Sequence, residues 1–161
     1  MPLAKPAPAE HPILPLLADR WSPRAFDPRP VPPERLRALF EAARWAPSSA
    51  NQQPWRFVVA TIDGEPEAHA RIAACLNDGN RRWAPRAPVL VIACTKLTIE
   101  HPERPTRDNP HAVYDLGQAV ADLSVQATAD GLFVHQMGGF DAAAARAACA
   151  VPDGFAPHVA I

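Results

Sequence analysis

Cysteine is scarce in this sequence. Cys75, Cys94 and Cys149 are an odd number without a C-x-x-C pair, which argues against a disulfide framework or a zinc knuckle and leaves buried reduced thiols as the reading. Long apolar runs are missing as well: the longest, Val89 to Cys94, is far too short to span a bilayer, and the N-terminus lacks a signal-type apolar stretch. No sign of charge dominates, because sixteen Lys+Arg stand against seventeen Asp+Glu for a formal net charge of -1. Chain-wide attraction to nucleic acid or anionic membrane is therefore absent, and a soluble cytoplasmic chain is expected. The six histidines show neither H-x-x-x-H nor H-E-x-x-H spacing, so no metal site is expected. G-x-S-x-G, P-loop and G-x-G-x-x-G patterns are missing too, and hydrolase and Rossmann readings lose their best supports.

What is present is one ordinary domain of 161 residues, 48% hydrophobic and 20% charged, enough to build a sizeable core. Twenty prolines cluster in segments such as Pro2 to Pro15 and Pro28 to Pro33, where they punctuate the chain without forming a repeat. Residues 1–11 read as a loose N-terminal arm and residues 12–161 as a single domain. From Pro33 the spacing of Leu36, Leu39, Phe40 and Ala43 predicts a helix ending near Pro47. Trp55 to Thr61 reads as a strand, Glu65 to about Leu76 as a helix, and Ala87 to Thr95 as a central strand covered on both faces. Glu100 to Asn109 reads as a surface loop. Asn109-Pro110 should open a long helix to about Asp130, with Val113, Leu116, Val120, Leu123 and Ala127 on its apolar face. Leu132 to Met137 look strand-like, Gly138-Gly139 a turn, Asp141 the cap of a helix over Ala142 to Cys149, and His158 the start of a last strand. The chain stops on that strand, which reads as an incomplete C-terminal end. Strands separated by helices mean α/β or α+β.

Four segments carry polar chemistry. Arg20, Ser22 and Arg24 share one face of an extended stretch that Pro23 keeps out of helix, and two guanidinium forks beside a hydroxyl suit phosphate or a carbonyl-rich ring. Ser48, Ser49, Asn51, Gln52 and Gln53 follow Pro47 at a helix-to-strand junction, where neutral donors and acceptors can read a heteroaromatic edge. The bland alternative for both is a solvated loop bonding its own backbone. Asn80 to Trp83 precede the buried strand. In His135 to Phe140, the pair Gly138-Gly139 lets backbone N–H groups approach a flat ligand with no Cβ in the way.

Taken in order, R-x-S-x-R-x-F, A-x-x-A-P-S-S-x-N-x-Q-P-W-R-F-V-V, N-x-x-W-A-x-x-A-P-V-L-V and a late G-G-F-D resemble the FMN-dependent nitroreductase family over roughly Pro12 to Ile161. The resemblance implies an α+β fold, a central mixed sheet flanked by helices, in an intertwined homodimer that holds FMN at its interface. It implies that Arg20, with Trp21 and Ser22 beside it, meets the phosphate and ribityl end, and that Arg24 lies by the flavin pyrimidine. Pro47, Ser48, Ser49, Asn51 and Gln53 match the loop that the neighbouring subunit lays against the cofactor. Asn80 matches an amide at the isoalloxazine edge, with Trp83 nearby. Gly138 and Gly139, in the run Gln136-Met137-Gly138-Gly139, match backbone close to flavin N5.

The activity implied is hydride transfer from NAD(P)H by way of FMN to a nitroaromatic, quinone or related electron-poor acceptor, with Arg24 as the catalytic residue. Two features depart from the family pattern. Trp83 stands where some relatives carry a second basic residue, and the C-terminal basic residue that helps bind phosphate is missing. They motivate the alternative of a dimeric flavin-binding or interaction protein with little or no turnover. Flavin chemistry other than nitroreduction also remains open.

Overall fold

Both faces of one three-stranded sheet are covered by helices, and that arrangement explains most of the hydrophobic pattern. The computed structural model describes residues 5–161. Helix α1 (Pro15–Asp19) is a short turn that the sequence pattern does not announce, and it lies against α5 (Ala112–Ala129). Helix α2 (Pro33–Arg44) begins at the expected proline and ends three residues short of Pro47, with Leu36, Leu39, Phe40 and Ala43 in a single apolar cluster. Strand β1 (Trp55–Thr61) has the expected bounds. Helix α3 (Pro66–Ala74) and the single turn α4 (Asp78–Arg81) follow, the latter capped by the Asn77 side chain, which accepts the Asn80 N–H.

Strand β2 (Val89–Lys96) is the middle strand, with every residue from Leu90 to Thr95 buried. Leu90, Ile92 and Cys94 face the cluster built with α3 and α6 (Ala142–Ala148), whereas Ala93 faces the cluster of α2 and α5. Burying side chains such as Leu90 and Ile92 contributes about 1.5–3 kcal/mol each. Strand β5 (Phe155–Ala160) completes the sheet in the order β1-β2-β5. Both pairings are antiparallel, so the mixed pairing that the family resemblance implies is not present among these three strands. The α+β class and the helical flanks are as expected.

Several local expectations need correction. Glu100 to Asn109 is not a loop, because β3 (Thr98–His101) and β4 (Arg104–Asp108) form a hairpin. Every β4 side chain is exposed, so backbone bonding alone makes the ladder and leaves no alternation to read. Helix α5 starts at Ala112, not Pro110: the Asn109 side chain accepts the His111 N–H, and Ala112 takes the buried position of the first turn. Val113 is thereby rotated outward and is 55% exposed, beside Tyr114 at 71%. Leu132 to Met137 run extended without a ladder, and only Met137 pairs, with Ala160. The last strand begins at Phe155, three residues before His158, and its register shifts between Ala93 and Cys94, opposite Pro157, which has no N–H to give.

Of the arm expected over residues 1–11, residues 1–4 lie outside the described residues. Farther on, the Ala7 N–H donates to Ala18 O at 2.7 Å and the Lys5 ammonium sits 5.6 Å from the Trp21 ring, so this part is held at two points. The cysteines are free thiols, Cys75 and Cys94 buried and Cys149 half-buried. No helix among the described residues is long and apolar enough to cross a membrane.

Candidate functional site

Two separate groups of polar residues emerge from this frame, and most of the sequence candidates fall into one or the other. The first is built on the strap from Arg20 to Phe26. Arg20 leaves α1 with extended backbone, and the strap alternates thereafter: Arg20, Ser22 and Arg24 are exposed, Trp21 is half-buried and Pro23 is buried. The expected shared face therefore exists. Arg20 donates to Ser22 Oγ at 3.4 Å, and neither Arg20 nor Arg24 has a carboxylate partner among the described residues.

The strap is fastened at three points, two on the segment after α5 and one on Trp83 ahead of β2. The His135 ring bonds through Nδ1 to Pro23 O at 2.8 Å, Trp21 meets Phe133 edge-on at 5.8 Å, and Phe26 stacks on Trp83 at 6.1 Å. Trp83 also lies 4.5 Å from the His135 ring, so an aromatic group of Phe26, Trp83 and His135 joins three distant stretches of chain. Trp83 thus packs as a strut under the strap. The indole N–H of Trp21 is buried without a hydrogen-bond partner, a costly condition for a polar group.

The same junction contains the glycine pair. The Asn80 side-chain amide donates to Gly139 O at 3.0 Å, and the Asn77 N–H donates to the same oxygen at 3.0 Å. A Cβ at Gly139 would lie 2.3 Å from Asn77 Nδ2 and 2.9 Å from Asn80 Nδ2, so only glycine lets these amides close in. Around Gly138 the equivalent space is open. Neither Gly138 N–H nor Gly139 N–H donates to another described residue.

Two expected members turn away from this edge. Met137 is 3% exposed in the apolar core, and its N–H and C=O both bond Ala160. The Gln136 amide points back toward α5, donating to Ser124 Oγ at 3.1 Å. For Met137 the cause is position: it is the one residue of its stretch that pairs with β5, so its side chain enters the core.

The second group is the bend Pro47 to Gln53, and no hydrogen bond joins it to the strap within the chain. Ala50, Asn51 and Gln53 have φ of 49°, 53° and 45°, left-handed values that cost an L-residue about 1–2 kcal/mol each. Ser48 Oγ accepts the Gln53 N–H at 3.0 Å, and Arg56 donates to Gln53 O at 3.2 Å. Pro47, Asn51 and Gln53 are exposed, and Ser48 and Ser49 are half-buried. The bend is anchored from α5: the Ser49 N–H donates to Asp115 Oδ2 at 3.1 Å, and the Gln118 amide to Pro47 O at 3.4 Å. Asp115, 2% exposed, is a residue that motif reasoning misses; its one sequence signal is an acid on the apolar face of a helix.

The stretch from residue 17 to 84, which carries the strap, the bend and Asn80, matches the model of the nitroreductase family. A protein of Leptothrix cholodnii, named as a candidate NADH dehydrogenase/NAD(P)H nitroreductase, is 32% identical over 148 residues, covering 80% of this chain and 72% of that protein. This chain belongs to the nitroreductase family. Another family relative by sequence, the major NAD(P)H-flavin oxidoreductase of Aliivibrio fischeri, is 32% identical over 116 residues, but the chain spans only half of its length. Among solved structures, an oxidoreductase containing FMN superimposes with a TM-score of 0.91 at 37% identity, covering 96% of this chain and 77% of that one. An FMN-dependent nitroreductase of Clostridium difficile, 21% identical with a TM-score of 0.75, shares the nitroreductase fold.

Proposed function

We propose that this chain is an FMN-dependent NAD(P)H oxidoreductase that works as a homodimer in the cytoplasm, passing hydride to nitroaromatic, quinone or related electron-poor acceptors. The observation that carries the reading is the fastening of the Arg20–Phe26 strap to His135 and Trp83, which lie in the two stretches that also carry the glycine pair and Asn80. FMN combines an anionic phosphate, a hydroxylated chain and a flat ring with acceptors along its edge. The unpaired guanidinium groups, the Ser22 hydroxyl, the orphaned Trp21 N–H and the open glycine N–H groups form a donor set that fits it. The solved relative at 37% identity contains FMN, in keeping with that fit.

Arg20 and Ser22 would hold the phosphate and ribityl end, and Arg24 the pyrimidine edge. When bound, FMN supplies the hydride acceptor and donor at N5. A guanidinium fixed at the pyrimidine edge favours negative charge there without reorganising, and this is the work assigned to Arg24. The Asn80 amide, tied to Gly139 O, fixes the glycine backbone that would meet the ring. Met137 braces this edge from the core. The Pro47–Gln53 bend, not hydrogen-bonded to its own strap, would serve the neighbouring subunit's cofactor. The protein needs no covalent nucleophile, only orientation and charge placement.

The test is a titration of the purified, cofactor-stripped protein with FMN, followed by assay with NADH or NADPH and a quinone or nitroaromatic. Stoichiometric uptake, with NAD(P)H oxidation coupled to acceptor reduction, is the expected outcome. A protein that takes up no FMN contradicts the proposal, and uptake without turnover leaves a flavin-binding protein.

A further inference from the structure

The bend from Pro47 to Gln53 holds three left-handed non-glycine residues in a span of four, and its own sequence does not explain why it stays bent. Ser48 Oγ bridges to the Gln53 N–H, yet that bond lies within the bend and cannot fix the bend against the body. The fixed point is Asp115. Its carboxylate is 2% exposed on the inner face of α5, between the buried residues Ala112 and Leu116, and it accepts the Ser49 N–H from 66 positions away. One turn farther along α5, Gln118 reaches Pro47 O at 3.4 Å. Thus α5 grips the entrance of the bend through one N–H and one C=O, while Arg56 in β1 holds its exit at Gln53 O.

A carboxylate at this depth is expensive for a helix that could have carried Ala or Leu, as it does at neighbouring buried positions. Its one hydrogen-bond partner among the described residues is the Ser49 N–H, a partly buried donor that would otherwise be left unpaired. We infer that Asp115 is a positioning residue: it fixes the left-handed bend of its own chain in the conformation that the exposed Asn51 and Gln53 side chains need to meet a flavin. This inference rests on the flavin reading above for its consequence, but not for the anchoring itself.

Two measurements on the full chain test it, one without cofactor. In the apo protein, Asp115→Ser, small and polar enough for the position but too short to reach Ser49, should speed amide hydrogen exchange over residues 48–53 at least tenfold. Exchange in β2 should be unchanged. In FMN titrations, Asp115→Ser and Asp115→Ala should raise Kd about tenfold, the loss expected for a charge-assisted bond to a loop that must be preordered. Asp115→Asn, which keeps an acceptor oxygen, should stay within about threefold of the native value. Native exchange over 48–53 in Asp115→Ser overturns the anchoring, whether or not FMN binds. Faster exchange with an unchanged FMN Kd overturns the positioning role while the flavin reading stands. A native chain that takes up no FMN defeats the flavin reading instead, and the exchange result still decides the anchor.

Discussion

Arg20 and Arg24 stand on the same exposed side of one strap, yet different work is assigned to them. Arg20 lies at the end of α1 beside Ser22, so Arg20→Ala should chiefly weaken FMN binding, raising Kd by roughly tenfold or more for one lost charge-assisted contact. Arg24→Ala should lower kcat by about tenfold to a hundredfold while changing FMN occupancy far less, measured by stopped-flow turnover on variants saturated with cofactor. Equal occupancy in native and Arg20→Ala protein would refute the phosphate assignment. The local placement of these residues is legible in the sequence, because Arg20, Ser22, Arg24 and the Pro47–Gln53 run declare an exposed strap and a polar bend by residue type and spacing. Met137 was not legible, since a side chain's direction depends on its pairing with Ala160, a contact 23 positions away. Asp115 was hidden for the same reason: its partner, Ser49, is close only in three dimensions.

Elements with a strong apolar period read well from sequence, and those without one did not. Helix α2 and strands β1 and β2 bury regular faces, whereas the β3–β4 hairpin and the turn α4 bury almost nothing that a pattern would show. Helix α6 shows the value of a local cap. Asp141 Oδ1 accepts the N–H groups of Ala143 and Ala144 at 2.9 and 3.0 Å, so Asp141→Ala should cost about 1 kcal/mol, seen as a fall of a few degrees in Tm by calorimetry. At the β2–β5 seam, the His158 ring bonds Thr95 Oγ1 at 2.8 Å, and burial pushes its pKa below 6.5. The unfolded chain therefore binds the proton more readily than the folded one. The stabilisation is complete above pH 6.5 and is lost as the pH falls below that value. Thermal melts from pH 7.5 to 5 should show a steeper fall in Tm for the native protein than for His158→Gln; parallel curves would remove His158 from the pH response.

At the scale of the whole molecule, the proposed site divides into two groups of polar residues on a single chain. The strap and glycine edge form one, the Asp115-anchored bend the other, and no hydrogen bond joins them internally. Large apolar side chains that the core does not use lie exposed on α1 and at the start of α5: Leu16, Leu17, Val113 and Tyr114. Such surface favours association, and a second copy would bring a bend to each strap. Sedimentation of the purified protein should give a dimer, and Tyr114→Glu, placing a charge on that surface, should shift it toward monomer and reduce FMN uptake in parallel. The most direct measurement is a crystal structure of the protein equilibrated with FMN. The predicted result is one FMN per chain, with Arg20 and Arg24 of one subunit and Asn51 of the other against the same cofactor. A cofactor enclosed by one chain alone, or an Arg24 and a partner Asn51 separated with no flat cavity between them, would contradict it.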